Sequence, residues 1–166
     1  MPDYSLSVKA AECIKEAGES GIFLITGKGR PNAMTIGWST AGVMWGLPVM
    51  CVPVRHSRYT HDIIEGETAF TVFVPRERDA SLVTLCGTVS GRDRDKIKEA
   101  GLSCGMSEYV DAPVIKDPGT VIHARILYKV DMTKDNMDES VIRWYRPEMD
   151  LHTLYYGEII AVTENE

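Results

Sequence analysis

Residues 55–60 read Arg-His-Ser-Arg-Tyr-Thr and follow the apolar run Val49-Met50-Cys51-Val52-Pro53-Val54. Arg55 and Arg58 offer forked N–H donors, and Ser57 and Thr60 offer hydroxyls. The helix-like segment His61-Asp62-Ile63-Ile64-Glu65 brings free backbone amides to the same place. In a chain of formal net charge −6, such a knot of positive charge at a strand end suits a bound phosphate. The same residues also suit a polar strand-to-helix corner capped by Ser or Thr, and six positions do not separate the two readings.

Two other stretches carry similar chemistry. In Ser-Gly-Arg-Asp-Arg-Asp-Lys, residues 90–96, the Ser90 hydroxyl, the amides near Gly91, and Arg92 and Lys96 could form a second wall of an anion or polar-ring site. Taken alone, the stretch favours a solvated loop whose Arg and Asp residues pair with each other. In Asn-Ala-Met-Thr-Ile-Gly-Trp-Ser-Thr, residues 32–40, Asn32, Thr35 and Ser39 interleave with small residues, so backbone groups there could meet a flat polar ring edge-on. A strand with one polar face gives the same pattern. Trp38 and Trp45 could flank a ring or serve the core. Cys86, four positions before Ser90, reads as a buried inert thiol.

Composition narrows the classes. At 166 residues, with 44% apolar and 25% charged positions, the chain is expected to form a single domain spanning 1–166. The acidic balance argues against a nucleic-acid binder, which needs a broad basic face. No run approaches a membrane span and the N-terminal residues lack a signal-type apolar core, so a cytoplasmic protein is expected. The four cysteines (13, 51, 86, 104) show no pairing pattern. His56 and His61, five apart and so off one helix face, with no carboxylate cluster accompanying them, predict no metal site. GxGxxG, GxxxxGK[ST] and GxSxG are absent from the sequence, and no paired carboxylates stand at convincing spacing. An enzyme built this way takes its reactive group from a cofactor.

The elements that must position these residues follow from periodicity and breakers. Residues 5–17 predict an amphipathic helix with Leu6, Ala10, Cys13, Ile14 and Ala17 on one stripe and Gly18 as its stop. Strands are expected over 22–26, over 32–45 (one long strand or a bent pair, with Gly37 and Gly42 at bulges or close approaches) and over 49–54 after a Leu47-Pro48 turn. Further strands are expected over 68–74, 112–116, 120–130 and 155–163. Short helices are expected over 60–65, over 76–87 with Gly87 just past the end, over 95–101 capped by Asp93 or Asp95, and near the end of 133–145. Six or seven strands without repeated helical crossovers favour a mainly β, antiparallel Greek-key barrel over a doubly wound sheet.

Taken in order, NAMTIGWSTAGVMWGLPVMCVPVRHSRYTHDIIE, FTVFVP, CGTVSGRDRDK and DLHTLYYGEI resemble the flavin reductase-like family, in its flavoredoxin-type branch. The resemblance spans roughly residues 20–162. It implies an FMN-binding split β-barrel working as a homodimer, with FMN near the subunit interface. Carried over position by position, it implies that Arg55, Ser57, Arg58, Tyr59 and Thr60 grip the FMN phosphate. Asn32, Ala33, Met34, Thr35 and Ser39 lie along the isoalloxazine, and the loop with Ser90, Gly91, Arg92 and Lys96 closes over the flavin. His152 reaches the flavin of a partner subunit. Lys96 or Arg92 is the cation expected beside the ring edge that gathers negative charge on reduction, and Lys96 and His152 are the catalytic candidates.

The activity so implied is FMN-dependent oxidoreduction. Electrons come from NAD(P)H, as a co-substrate, or from a reduced partner, and pass to free flavin, a ferric complex or a redox protein. An FMN-binding electron carrier with no substrate turnover of its own is the alternative.

Overall fold

In the computed structural model, which describes residues 1–17 and 21–166, the first helix α1 covers Ser5–Ala17. Ala10 is buried, and Leu6, Cys13 and Ile14 pack against the core beside it, as the stripe predicts. The Ala17 side chain and the Gly18 stop lie outside the described residues. Strand β1, Ile22–Thr26, is buried at all five positions. Successive side chains of a strand point to opposite faces. Leu24 accordingly joins one apolar cluster and Phe23 and Ile25 a second, so β1 has core on both sides and needs an unbroken apolar run.

The stretch 32–45 is two strands, β2 (Asn32–Ile36) and β3 (Thr40–Met44). They do not pair with each other. They lie at opposite ends of the seven-stranded sheet, and the chain crosses between them over Gly37–Ser39. A Cβ at Gly37 or Gly42 would meet nothing within 4 Å, so neither glycine marks a close approach. Strand β4 covers Leu47–Arg55, two residues more than expected at its start. The reversal falls on Trp45 and Gly46, both in the left-handed region (φ 55° and 70°), the backbone a two-residue hairpin turn requires. A tryptophan there gives no sequence signal for such a turn.

Helix α2, Tyr59–Ile64, follows β4 directly. Strand β5 is Ala69–Pro75 and helix α3 is Ala80–Thr88. Helix α3 starts later than periodicity suggests because the Asp79 carboxylate accepts from the Leu82 amide at 3.0 Å, and Gly87 sits within its last turn rather than beyond it. Helix α4 is Lys96–Glu99, capped by Asp95. Strands β6 (Cys104–Met106) and β7 (Pro113–Ile115) form a separate two-stranded sheet. The β6 residues lack β-branched side chains, which is why the sequence hides that strand. Strand β8 is Gly119–Asp131, α5 is Glu139–Ile142, and β9 is His152–Asn165, longer at both ends than expected.

The large sheet runs β2-β1-β5-β8-β9-β4-β3, with every pair antiparallel. Register shifts at His123/Ala124 and Ile126/Tyr128 bend the β8–β9 ribbon. The sheet curls enough for Met34, Thr35 and Ile36 of β2 to share a cavity with Pro53 and Arg55 of β4. Among the described residues no helix is long and apolar enough to cross a membrane.

Candidate functional site

Two cavities meet at Arg58. One, of about 190 Å3, lies between β2 and β4 and is lined by Met34, Thr35, Gly37, Trp38, Pro53, Arg55 and His152 as well as Arg58. The other, of about 160 Å3, lies where the start of α2 faces the α3–α4 loop, with Ser57, Tyr59, Thr60, Ser90, Gly91, Arg92 and Lys96 around it. The three stretches that sequence singled out therefore converge.

Each basic residue of the second cavity is held differently. Arg58 donates from Nη2 to the Cys86 carbonyl at 2.9 Å and from Nη1 to that of Gly87 at 3.0 Å. These are carbonyls of the last turn of α3, which lack helical partners and carry the negative end of the helix dipole. Burial nevertheless lowers the Arg58 pKa, with Arg55 adding to the effect. Arg92 sits 5.4 Å over the Tyr59 ring and pairs with Asp62 at 2.5 Å in an exposed setting, where such a pair is worth little.

Lys96 is the outlier. It is 3% exposed, and among the described residues no hydrogen bond or ion pair takes its ammonium. Desolvation, with nearby Arg58 adding to it, pushes its pKa down to about 8. A buried cation without an anionic partner, flanked by two arginines, fits an anionic ligand. Cys86 is fully buried and its thiol pKa is raised by burial, consistent with an inert thiol.

Close packing shapes the same cavity. Asn32 Nδ2 donates to Thr60 Oγ1 at 2.9 Å, both residues being buried, so β2 is tied to α2. A Cβ on Gly91 would come within 2.1 Å of Asn32 Oδ1 and 2.8 Å of Tyr59 Cδ1, and only glycine lets the loop come so near. Ser57 is not a free donor: its amide (3.2 Å) and hydroxyl are both taken by the Asp150 carboxylate. Ser90 Oγ accepts from the Arg92 amide at 3.2 Å and shapes its loop.

In the first cavity the Thr35 hydroxyl donates to the Val83 carbonyl (2.9 Å) and that of Ser39 to the Cys51 carbonyl (2.8 Å). These hydroxyls are committed to fixing the backbone, while Met34, Gly37 and Trp38 line the cavity. Ala33 is buried in the core cluster beneath α3, on the other face of β2 from Met34. Arg55 donates to the Asp150 carbonyl at 2.8 Å and lies 5.1 Å over the Tyr145 ring. His152, opposite Arg55 in the β4–β9 register, is buried, and its Nδ1 is 2.8 Å from Tyr145 Oη. Burial, reinforced by the Arg55 charge, pushes its pKa down to about 4. His152 lines the cavity of its own chain.

Of the two readings open for Trp38, it lines the cavity, its ring centroid 5.5 Å from that of His152, whereas sequence reasoning missed Tyr145 and Asp150. It also kept His56 and His61 apart, whereas both Nε2 atoms approach the Thr153 hydroxyl with Asp131 beside it.

A flavoredoxin of Methanosarcina acetivorans superposes with a TM-score of 0.68 at 26% identity, covering 89% of this chain and 69% of that one. An FMN-binding protein of Thermus thermophilus superposes at 0.66 and 18% identity, covering 87% and 70%, a likeness of fold, the split β-barrel. An uncharacterized protein of Archaeoglobus fulgidus is 29% identical over 143 residues, 86% of this chain and 71% of the relative. The family model described as "Flavin reductase like domain" matches residues 18–166, and the chain belongs to that family.

Proposed function

We propose that the protein is an FMN-dependent oxidoreductase, passing electrons from NAD(P)H or a reduced redox partner to an acceptor such as free flavin, a ferric complex or a redox protein. The observation that carries the reading is Lys96, a buried ammonium without an acceptor among the described residues, in a phosphate-sized compartment joined through Arg58 to a ring-sized one. Arg58, Arg92, Lys96 and Thr60 would hold the phosphate. Met34, Gly37, Trp38 and Pro53 would border the isoalloxazine, with Asn32 and Thr35 keeping β2 in place behind it. When bound, FMN supplies a ring that exchanges electrons with donor and acceptor.

The chain's own groups set the conditions for that exchange. Lys96 lies in the phosphate compartment, so in this reading it serves the phosphate rather than the ring edge. Arg55 and Arg58 are the cations that face the ring compartment, and they give it a positive potential. His152 stays neutral at pH 7 and accepts from or donates to Tyr145, which fixes its orientation. A homodimer in the cytoplasm remains part of the proposal. The exposed Val43 and Met44 on edge strand β3, next to Trp45 with its ring contacts to Tyr128 and Tyr156, support such an interface.

The test compares FMN with riboflavin, which lacks the phosphate. The flavin-free protein should bind FMN at least about 100-fold more tightly, the scale of two or more charge-assisted contacts. Equal affinities would overturn the phosphate reading. Anaerobic NADH and NADPH oxidation with added flavin, ferric complex or quinone then separates the two activities: rapid turnover supports the reductase, and bound FMN without turnover establishes a carrier instead.

A further inference from the structure

On the other side of the β4–α2 corner, a third cavity of about 370 Å3 is lined by His56, His61, Glu65, Lys129, Asp131 and Thr153. His56 follows β4, His61 lies on α2, Asp131 ends β8 and Thr153 belongs to β9, so four elements meet there. One ligand-type atom from each of His56, His61 and Asp131 lies within 4.8 Å of the other two. His56 Nε2 stands 3.3 Å from Asp131 Oδ1. With metal–ligand bonds near 2.1 Å, neighbouring ligand atoms of a tetrahedral or octahedral site are about 3–3.5 Å apart. We propose that His56, His61 and Asp131 bind a divalent first-row transition metal ion, at a site separate from the flavin cavities.

Two imidazoles and one carboxylate are a donor set that suits zinc, iron, cobalt or nickel rather than calcium or magnesium, which prefer all-oxygen shells. Three protein ligands leave at least one position open, and the cavity gives it access to solvent and to Lys129. Thr153 organises the metal-free state. Its hydroxyl, on a residue 1% exposed, lies 3.1 Å from His56 Nε2 and 2.9 Å from His61 Nε2, and donates to Asp131 at 2.5 Å. A hydroxyl has one proton, so both imidazoles donate to it through Nε2–H. Metal binding shifts each ring proton to Nδ1 and frees the Nε2 lone pairs, with no net loss of protons from the rings. Behind the ligands, Glu65 Oε1 is 3.7 Å from His61 Nε2 and is held by the Tyr155 hydroxyl and Lys129. Glu65 thus adds a negative charge beside the ligating Nε2 of His61, which favours a bound cation.

The experiment is a titration of the untagged full chain, stripped with chelator, with Zn2+ by calorimetry and with Co2+ by visible absorption. The expected result is one Zn2+ per chain with Kd of about 10 µM or tighter, accompanied by a rise in melting temperature. Co2+ should give ligand-field bands without a thiolate charge-transfer band. Asp131→Asn and His61→Gln should each weaken Zn2+ binding by at least about tenfold. No binding by the wild-type chain, a thiolate band, or Zn2+ affinity unchanged in His61→Gln would each overturn the proposal. If Asp131→Asn does not fold, the wild-type titration and His61→Gln still decide it.

Discussion

Arg58 donates from Nη1 to the carbonyl oxygen of Gly87 at 3.0 Å, so the residue that opens α2 is fastened to the closing turn of α3. Its other amino group does the same for Cys86. The guanidinium thus has a structural task besides facing both cavities. Lysine in its place keeps the charge but cannot span two carbonyls. Arg58→Lys is therefore expected to lose about 1–3 kcal/mol of stability, the cost of leaving half-buried carbonyls unpaired, in urea unfolding. FMN affinity should fall at the same time. An unchanged midpoint in urea would show that the two bonds contribute nothing.

Gly91 predicts a different kind of loss. A methyl group there collides with Asn32 Oδ1 and Tyr59, and Asn32 cannot retreat without breaking its bond to Thr60. Gly91→Ala should lower stability by about 1–3 kcal/mol, in the range of overpacking. It should also weaken FMN binding at least about tenfold, since the displaced Tyr59 supports Arg92. Fluorescence titration with FMN measures the second effect. Wild-type affinity in that variant would mean that the loop moves aside freely.

How much of this was legible in the sequence depends on chain distance. Arg55, Arg58, Ser90 and Lys96 stand out because charge, hydroxyls and glycine cluster within a few residues of a helix start, a local signal. The apolar run 22–26 and the stripe of α1 are equally local. Asp150 capturing Ser57, and Trp38 meeting His152, depend on the β4–β9 register, which joins residues about a hundred positions apart. No periodicity encodes that register. The same holds for His56, His61 and Asp131. Spacing places the two histidines off one helix face, but one precedes the helix and the other lies on it, and β8 delivers the carboxylate. The β3–β4 turn was hidden for another reason: Trp45 adopts a left-handed backbone that tryptophan seldom takes.

Acid should unfold the protein partly through two histidines. His123 and His152 are buried, and burial is the leading cause that pushes each pKa down to about 4 from an unfolded value near 6.5. His123 is satisfied as a neutral ring, with Nδ1 2.8 Å from Ser107 Oγ and Nε2 2.9 Å from Thr163 Oγ1. Between pH 6.5 and 4 the unfolded chain binds more protons than the folded one, so stability is complete above pH 6.5 and is lost as pH falls toward 4. The expected loss is a few kcal/mol, at about 1.4 per pKa unit per group. Denaturation at pH 7 and pH 4.5 measures it. His123→Gln should show a smaller difference between the two, and an equal difference would assign the acid sensitivity elsewhere.

Lys96 works at the opposite end of the pH scale. Its folded pKa of about 8 lies below the unfolded value near 10.4, so the flavin-free folded state carries a penalty for a buried ammonium at every pH below 8. The penalty disappears as pH rises through 8 to 10.4, where the unfolded chain holds the extra proton, and stability should rise over that window. Lys96→Met removes the charge. It should make the flavin-free protein more stable at pH 7, by up to about 3 kcal/mol at 1.4 per pKa unit, and should flatten the rise. A bound phosphate dianion reverses the balance, because it pairs with the ammonium and raises its pKa. FMN affinity should therefore fall as pH rises from 7 to 9, a range in which a phosphate monoester with second pKa near 6 changes little. Burial holds the thiol of Cys86 above its ordinary pKa and pushes that of Lys96 down into this range, so Lys96 is the group whose charge change is tested. Fluorescence titrations at pH 7, 8 and 9 on both proteins check this. The slope must be present in the wild type and absent in Lys96→Met, and a slope common to both would remove Lys96 from the phosphate site.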